Sequence, residues 1–64
     1  MMYRVPDTVV LDRYLPGHGL RKGDLGAVVE VYEPDRLEVE FVTASGRAAA
    51  VLTLTAQVVR PCRG

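Results

Sequence analysis

Short apolar stretches, each divided from the next by glycine, proline or charged residues, are the feature that most constrains how this chain folds. Inside these stretches apolar and polar residues alternate with a period of two, as they do in strands that bury one face. No stretch shows the periodicity of a long amphipathic helix. The pattern predicts five strands, at Asp7–Asp12, Ala27–Tyr32, Leu37–Thr43, Arg47–Leu54 and Val58–Arg60.

The segments between these strands are rich in turn residues. Two glycines and a proline exclude a regular element from Tyr14–Leu20, but Leu15 and Leu20 are large and apolar, so we expect this loop to fold back across the core. Thr55–Gln57 is long enough for one helical turn only. Structural turns are predicted at Gly17, Gly19, Gly23, Gly26, Pro34 and Gly46, with Gly23 and Gly26 allowing either a positive φ or close backbone contact.

The order of these elements is typical of a small, five-stranded, all-β SH3-like barrel, with one long loop after the first strand and one short helical turn before the last. We expect residues 1–64 to form a single domain with a frayed tail at 62–64. An open antiparallel meander that completes its sheet in a dimer is the alternative. A domain of 64 residues buries only about 60% of its unfolded surface, so we expect oligomerisation or a partner to add to its stability.

Composition excludes several functional classes. Eight basic residues balance eight acidic ones, without the basic excess that is typical of dedicated nucleic-acid binders. Cys62 is the single cysteine and His18 the single histidine, so neither an intrachain disulfide nor a zinc site is expected. We therefore expect no metal and no cofactor. The chain has neither a signal-peptide core nor an apolar run that could cross a bilayer, so we expect a soluble, cytoplasmic protein without a membrane partner.

Catalysis is not predicted either. His18 lies between two glycines and would need a nucleophile or an acid beside it. Ser45, Cys62, Asp12 and Asp24 form no recognisable constellation with it. The glycines of this region match no phosphate-binding motif, and no helix follows them. The sequence thus predicts a protein that is not an enzyme.

Two resemblances extend this interpretation. Lys22–Val31 resembles the Gly-Asp-x-Gly-x-Val-Val signature of KOW-type and related SH3-like modules. Almost the whole chain resembles a family of small bacterial proteins classified only as a domain of unknown function, family 4926 of that series. Its pattern matches Asp7 with Val9–Leu11, Leu15–Leu20, Gly23–Gly26, Val28–Tyr32, Val39–Phe41 and Val58–Pro61. The resemblance implies an SH3-like fold, a likeness to the SH3-like domain of nitrile hydratase beta subunits, and partner genes of toxin–antitoxin type.

A candidate interface follows from the strand alternation. If Val9, Leu11, Val29, Val31, Leu37, Val39, Phe41, Ala50, Leu52 and Leu54 fill the barrel, alternation directs Val10, Val28, Tyr32, Val42 and Val51 outward. These five residues either are covered by strand coiling, the loop or a bulge, or form an interface with a second copy or another protein. Glu30, Glu38 and Glu40 point outward on two neighbouring strands and favour a basic partner.

We therefore expect a non-catalytic protein-interaction module, such as the small neutralising or accessory subunit of a two-gene system. The alternative is a KOW-like module that binds nucleic acid through Arg21, Lys22, Arg60 and Arg63, although the acidic strands disfavour phosphate on their own face. A further alternative, implied only by the resemblance, is an accessory subunit of a metalloenzyme related to nitrile hydratase.

Overall fold

The structure is a computed structural model that describes residues 3–42 and 48–62. Its strands follow the predicted order. The elements are β1 (Thr8–Leu11), a 3₁₀ turn (Pro16–His18), β2 (Leu25–Tyr32), β3 (Arg36–Val42), β4 (Ala48–Thr55), a second 3₁₀ turn (Ala56–Val58) and β5 (Val59–Pro61). The predicted all-β fold with five strands and a helical turn before the last strand is confirmed. The first 3₁₀ turn was not predicted. In the described part of the chain, no helix is long and apolar enough to cross a membrane.

All five strands are antiparallel and form one sheet in the order β4-β3-β2-β1-β5. Four strand spacings would separate β4 from β5 by about 19 Å if the sheet were flat. Leu54 of β4 and Val59 of β5 nevertheless pack into the same core cluster. The sheet is therefore rolled around one core. Among the described residues no ladder joins β4 to β5, so both remain edge strands.

The core lies on the concave face of this sheet and is closed by the loop after β1. Leu20 is only 2% exposed and belongs to the core cluster, and Leu15 packs against it. The backbones of these two residues exchange hydrogen bonds of 2.9 and 3.1 Å, which hold the loop over the core as predicted. The buried cluster consists of Val9, Leu11, Leu20, Val28, Leu37, Val39, Phe41 and Val59.

A β-bulge in β2 reverses the predicted orientation of its first half. Val28 pairs with Val39, but the next pair is Glu30 with Glu38, so Val29 has no partner of its own. Val28 was expected outside and is completely buried, whereas Val29 was expected inside and is 39% exposed. Both orientations were wrong because the extra residue shifts the alternation by one position.

Val10 is the second residue that was wrongly expected on the exposed surface. Its side chain is only 8% exposed, although it lies outside the main core cluster. Its direct cross-strand partners are Leu25 of β2 and Arg60 of β5. Partners of this kind share a face and place their Cβ atoms about 5 Å apart, so two long side chains flank Val10 on the outer face.

Most of the predicted turn residues lie in turns. Gly19 and Gly23 have φ values of 69° and 99°, and Pro34 lies in the turn between β2 and β3. Gly17 is part of the first 3₁₀ turn, and Gly46 lies outside the described residues. Gly26 is different, because it lies within β2 rather than in a turn. An ideal Cβ there would be 2.6 Å from Val39 Cγ1, so Gly26 permits close packing of β2 on β3.

Cys62, the last residue that the structure describes, is hydrogen-bonded to β1. The backbone N–H of Cys62 donates a 3.1 Å hydrogen bond to the carbonyl of Thr8. The frayed tail expected at 62–64 stays a prediction, because residues 63 and 64 lie outside the described residues.

Candidate interaction surface

The convex face of β2, β3 and β4 carries the candidate interface, and the strand register determines which side chains are neighbours there. One row across the three strands holds Ala27, Glu40 and Val51. The next holds Glu30, Glu38 and Thr53, and the row at the hairpin end holds Tyr32, Arg36 and Thr55. Apolar and acidic residues are therefore interleaved on this face.

An apolar patch lies around Glu40. We define the outer patch as Leu25, Ala27, Val42 and Val51; Leu25, Val42 and Val51 are 47%, 43% and 54% exposed. A shallow depression of about 270 Å³ lies between β1, β2 and β3 and has apolar walls with one carboxylate, that of Glu40. The depression is lined by Thr8, Leu25, Gly26, Ala27, Glu40 and Val42. Such a surface offers apolar contact area together with a negative charge.

The acidic residues of this face are close to one another. Glu30 and Glu38 are direct cross-strand partners, an arrangement that places two like charges side by side. The hydroxyl of Tyr32 donates a 2.9 Å hydrogen bond to Oε1 of Glu38. This hydrogen bond, with partial burial and the negative charges of Glu38 and Glu30, raises the pKa of Tyr32 above its ordinary value of 10.0. Tyr32 thus remains a neutral hydrogen-bond donor within the acidic group.

A second, more open depression of about 470 Å³ lies at the hairpin end of this face. Tyr32, Pro34, Arg36 and Thr53 contribute to its walls, together with Glu33 and Asp35. This depression extends from the row of Glu30 and Glu38 to the turn between β2 and β3. Tyr32 therefore borders both the acidic row and the depression.

The structure brings together only part of the predicted interface. Tyr32, Val42, Val51 and Glu30 are exposed, and Glu38 and Glu40 are half-buried on the same face. Val10 and Val28 are buried and do not contribute an exposed surface.

Sequence reasoning missed two exposed apolar residues of β2. Leu25 was assigned to a turn, although it is the first residue of β2, and Val29 was assigned to the core. No local signal distinguishes Val29 from its neighbours, since Val28, Val29 and Val31 are the same residue type.

Two of the four basic residues predicted for the alternative function, Lys22 and Arg60, lie close to one acidic side chain. Oδ1 of Asp12 lies 3.6 Å from Nζ of Lys22 and 3.8 Å from Nε of Arg60. The backbone N–H of Arg21 donates a 2.9 Å hydrogen bond to Asp24. Arg63 lies outside the described residues. We call Arg21, Lys22 and Arg60 the basic rim. The carboxylates of Asp12 and Asp24 accompany these three residues and reduce the positive potential of the basic rim.

The remaining reactive side chains are dispersed. His18 is exposed at the end of the first 3₁₀ turn, and Cys62 is exposed after β5. Within residues 3–42 and 48–62, no three side chains of the types that ligate metals are grouped around a common point.

Comparison with known proteins places the chain in a family without assigning it an activity. No curated protein and no solved structure matches it. One family model, described as Domain of unknown function (DUF4926), matches residues 6–61 and so covers β1 to β5 and the loop over the core. The chain therefore belongs to the DUF4926 family.

Proposed function

We propose that this domain is a non-catalytic, SH3-like protein-interaction module of the cytoplasm, which binds a basic protein through the convex face of β2, β3 and β4. The observation that carries the proposal is the outer patch, in which the exposed residues Leu25, Val42 and Val51 lie around the half-buried residue Glu40. The long loop after β1 and the 3₁₀ turn before β5 support the SH3-like arrangement.

The apolar part of this face supports a macromolecular partner. Interfaces combine well-packed apolar anchors with a polar rim, and a few anchors supply most of the binding free energy. Val42 and Val51 can serve as anchors, with Tyr32 at the hairpin end as an aromatic contact. Burial of Val42 and Val51 would remove their exposed surface from water, a gain of about 25 cal/mol per Å² of apolar area.

The acidic part supports a partner with lysine or arginine side chains. Directly opposed like charges such as Glu30 and Glu38 cost a sheet roughly 0.2–1 kcal/mol, and a cation between them relieves this repulsion. Long-range attraction between the acidic face and a basic partner also accelerates association. The same charges repel phosphate, so nucleic acid is disfavoured on this face. A neutralising or accessory subunit encoded beside its partner gene fits these properties.

The test is coexpression with the products of the adjacent genes, followed by measurement of the mass of the purified complex by light scattering. We expect a defined complex that is lost in Val42→Glu, because the added charge lies in the outer patch. Val5→Glu is the matched control, since Val5 is 51% exposed and precedes β1. Glu38→Gln should weaken the complex and reduce its salt dependence. Failure to obtain a complex, or equal complexes with Val42→Glu and Val5→Glu, would refute the proposal.

A second candidate function rests on the basic rim around Asp12. Lys22 and Arg60 lie side by side there, so a nucleic-acid backbone could replace Asp12 as their counterion. This candidate predicts salt-sensitive binding to mixed RNA or DNA that weakens when Arg21 and Lys22 are changed to alanine. Absence of binding at low salt eliminates it.

A further inference from the structure

The free edge of β4 has the properties of a pairing surface. Ala48–Thr55 is eight residues long, has the sequence AAAVLTLT, and contains neither a charged residue nor proline. Its ladder is with β3, and the structure assigns no backbone partner to its other edge within the described residues. Natural proteins usually protect such an edge with lysine, proline, a bulge or a covering segment. In β4 the register shift lies near Ala48 and leaves the ladder from Ala50 to Thr55 regular.

The core is also incompletely covered along this edge. Leu37, Val39 and Phe41 of β3 are fully buried, whereas Leu52 and Leu54 of β4 are only partly buried although they pack against the same cluster. A strand added beside β4 would cover the inner side chains of its edge. An additional strand would therefore both pair with the free edge of β4 and cover the partly exposed part of the core.

We propose that this additional strand is β4 of a second copy, paired antiparallel across a two-fold axis so that two sheets become one sheet of ten strands. A two-fold axis through Leu52 places Val51 opposite Thr53 of the other copy and Ala50 opposite Leu54 of the other copy. Inner residues then meet inner residues and outer residues meet outer residues, as sheet alternation requires. The interface is isologous, the commonest type in homodimers.

Charge favours a second copy at this edge over a second copy stacked on the convex face. Stacked sheets lie about 10 Å apart, which would bring Glu30, Glu38 and Glu40 of both copies together. Edge pairing instead separates the two β3 strands by three strand spacings, about 14 Å, which exceeds the Debye length of about 8 Å at physiological salt. The uncharged β4 adds no repulsion across the axis. The inference is therefore independent of the proposed function, which uses the convex face.

The first test measures the wild-type protein. We expect a light-scattering mass of twice 7.0 kDa and slow hydrogen exchange at every amide from residue 50 to residue 55. Successive amides of a strand point to opposite edges, so in a monomer alternate amides of β4 have no partner. On dilution from dimer to monomer, that alternate set should exchange about tenfold faster or more. A monomer with the alternating pattern at high concentration would overturn the inference, as would protection of these amides only by a different protein.

The second test uses two charge-matched variants. Val51→Lys with Thr53→Lys places lysines opposite one another across the two-fold axis, while in the monomer they neighbour Glu40 and Glu38. Val29→Lys with Val42→Lys adds the same charge at exposed positions of β2 and β3. We expect the first variant to be monomeric and the second to remain dimeric. Two monomers, or two dimers, would show that the copies do not meet at β4; if the first variant fails to fold, the exchange pattern of the wild type decides.

Discussion

Replacement of Gly26 by alanine tests the close packing between β2 and β3 beneath the outer patch. Gly26 is buried in β2, and its φ lies outside the left-handed region, so the backbone itself accepts alanine. The new Cβ would lie 2.6 Å from Val39 Cγ1 and 2.9 Å from Phe41 Cδ1. Val39 and Phe41 are completely buried and cannot turn into solvent. We therefore expect β2 to be displaced from the core face of β3.

The size of the effect follows from two opposing contributions. A glycine-to-alanine change restricts the unfolded chain and stabilises a compatible site by about 0.4–1 kcal/mol. Overpacking a tight core costs typically 1–3 kcal/mol. The central values of these two ranges, about 2 kcal/mol of cost and about 0.7 kcal/mol of gain, leave a net loss of about 1–2 kcal/mol for Gly26→Ala. In a domain of this size, 1 kcal/mol shifts Tm by roughly 4–8 °C, so we expect Tm to fall by roughly 5–15 °C.

Thermal and urea denaturation followed by circular dichroism measure this loss. Gly17→Ala is the matched control, because its Cβ would meet no atom within 4 Å and its φ is also compatible. It should leave the free energy of unfolding unchanged or raise it. Val39→Ala removes the closest clashing atom, so the double variant with Gly26→Ala should lose less stability than the sum of the single losses. Gly26→Ala with wild-type stability, or strictly additive losses, would refute the close-packing argument.

Three further predictions concern the acidic face and the loop. Glu30→Gln should raise the free energy of unfolding in urea by about 0.2–1 kcal/mol, a gain that salt diminishes; identical curves at low salt would contradict the charge pairing. Glu38→Gln should lower the pKa of Tyr32 in an absorbance titration. An unchanged pKa of Tyr32 in this variant would refute the hydrogen bond. In the wild type the raised pKa of Tyr32 contributes to the free energy of unfolding below pH 10, and this contribution is lost as the pH rises through the raised pKa. Leu20→Ala should cost about 2–5 kcal/mol in denaturation, and His18→Ala less than about 0.5; equal losses would mean that the loop does not close the core.

The local pattern was sufficient to predict most of the fold. Leu37, Val39 and Phe41 alternate with glutamates, so β3 and its buried face follow directly from the sequence. Leu20 is an apolar residue within a glycine-rich loop, and only its packing over the core explains that combination. Both inferences depend on residues that differ sharply from their sequence neighbours.

The interface could be predicted only in part, because neighbouring residues in the middle of β2 are of the same type. Val28, Val29 and Val31 have the same side chain, so the sequence does not reveal that the bulge lies at Val29. The position of a bulge depends on how β2 pairs with β3, a non-local property. The burial of Val10 on the outer face was missed for a similar reason, since it depends on the partners of Val10 in two other strands, Leu25 and Arg60.

The bulge at Val29 has a consequence for the charge of the convex face. With regular alternation from Val28, the residue on the same face as Val28 would be Glu30, which would then point into the core. An unpaired carboxylate there would carry a desolvation cost of several kcal/mol. The extra residue instead directs Glu30 outward, opposite Glu38, and returns Val31 to the inner face. The bulge thus keeps the core apolar and, as a direct result, creates the opposed acidic pair for which the proposed basic partner is the counterion.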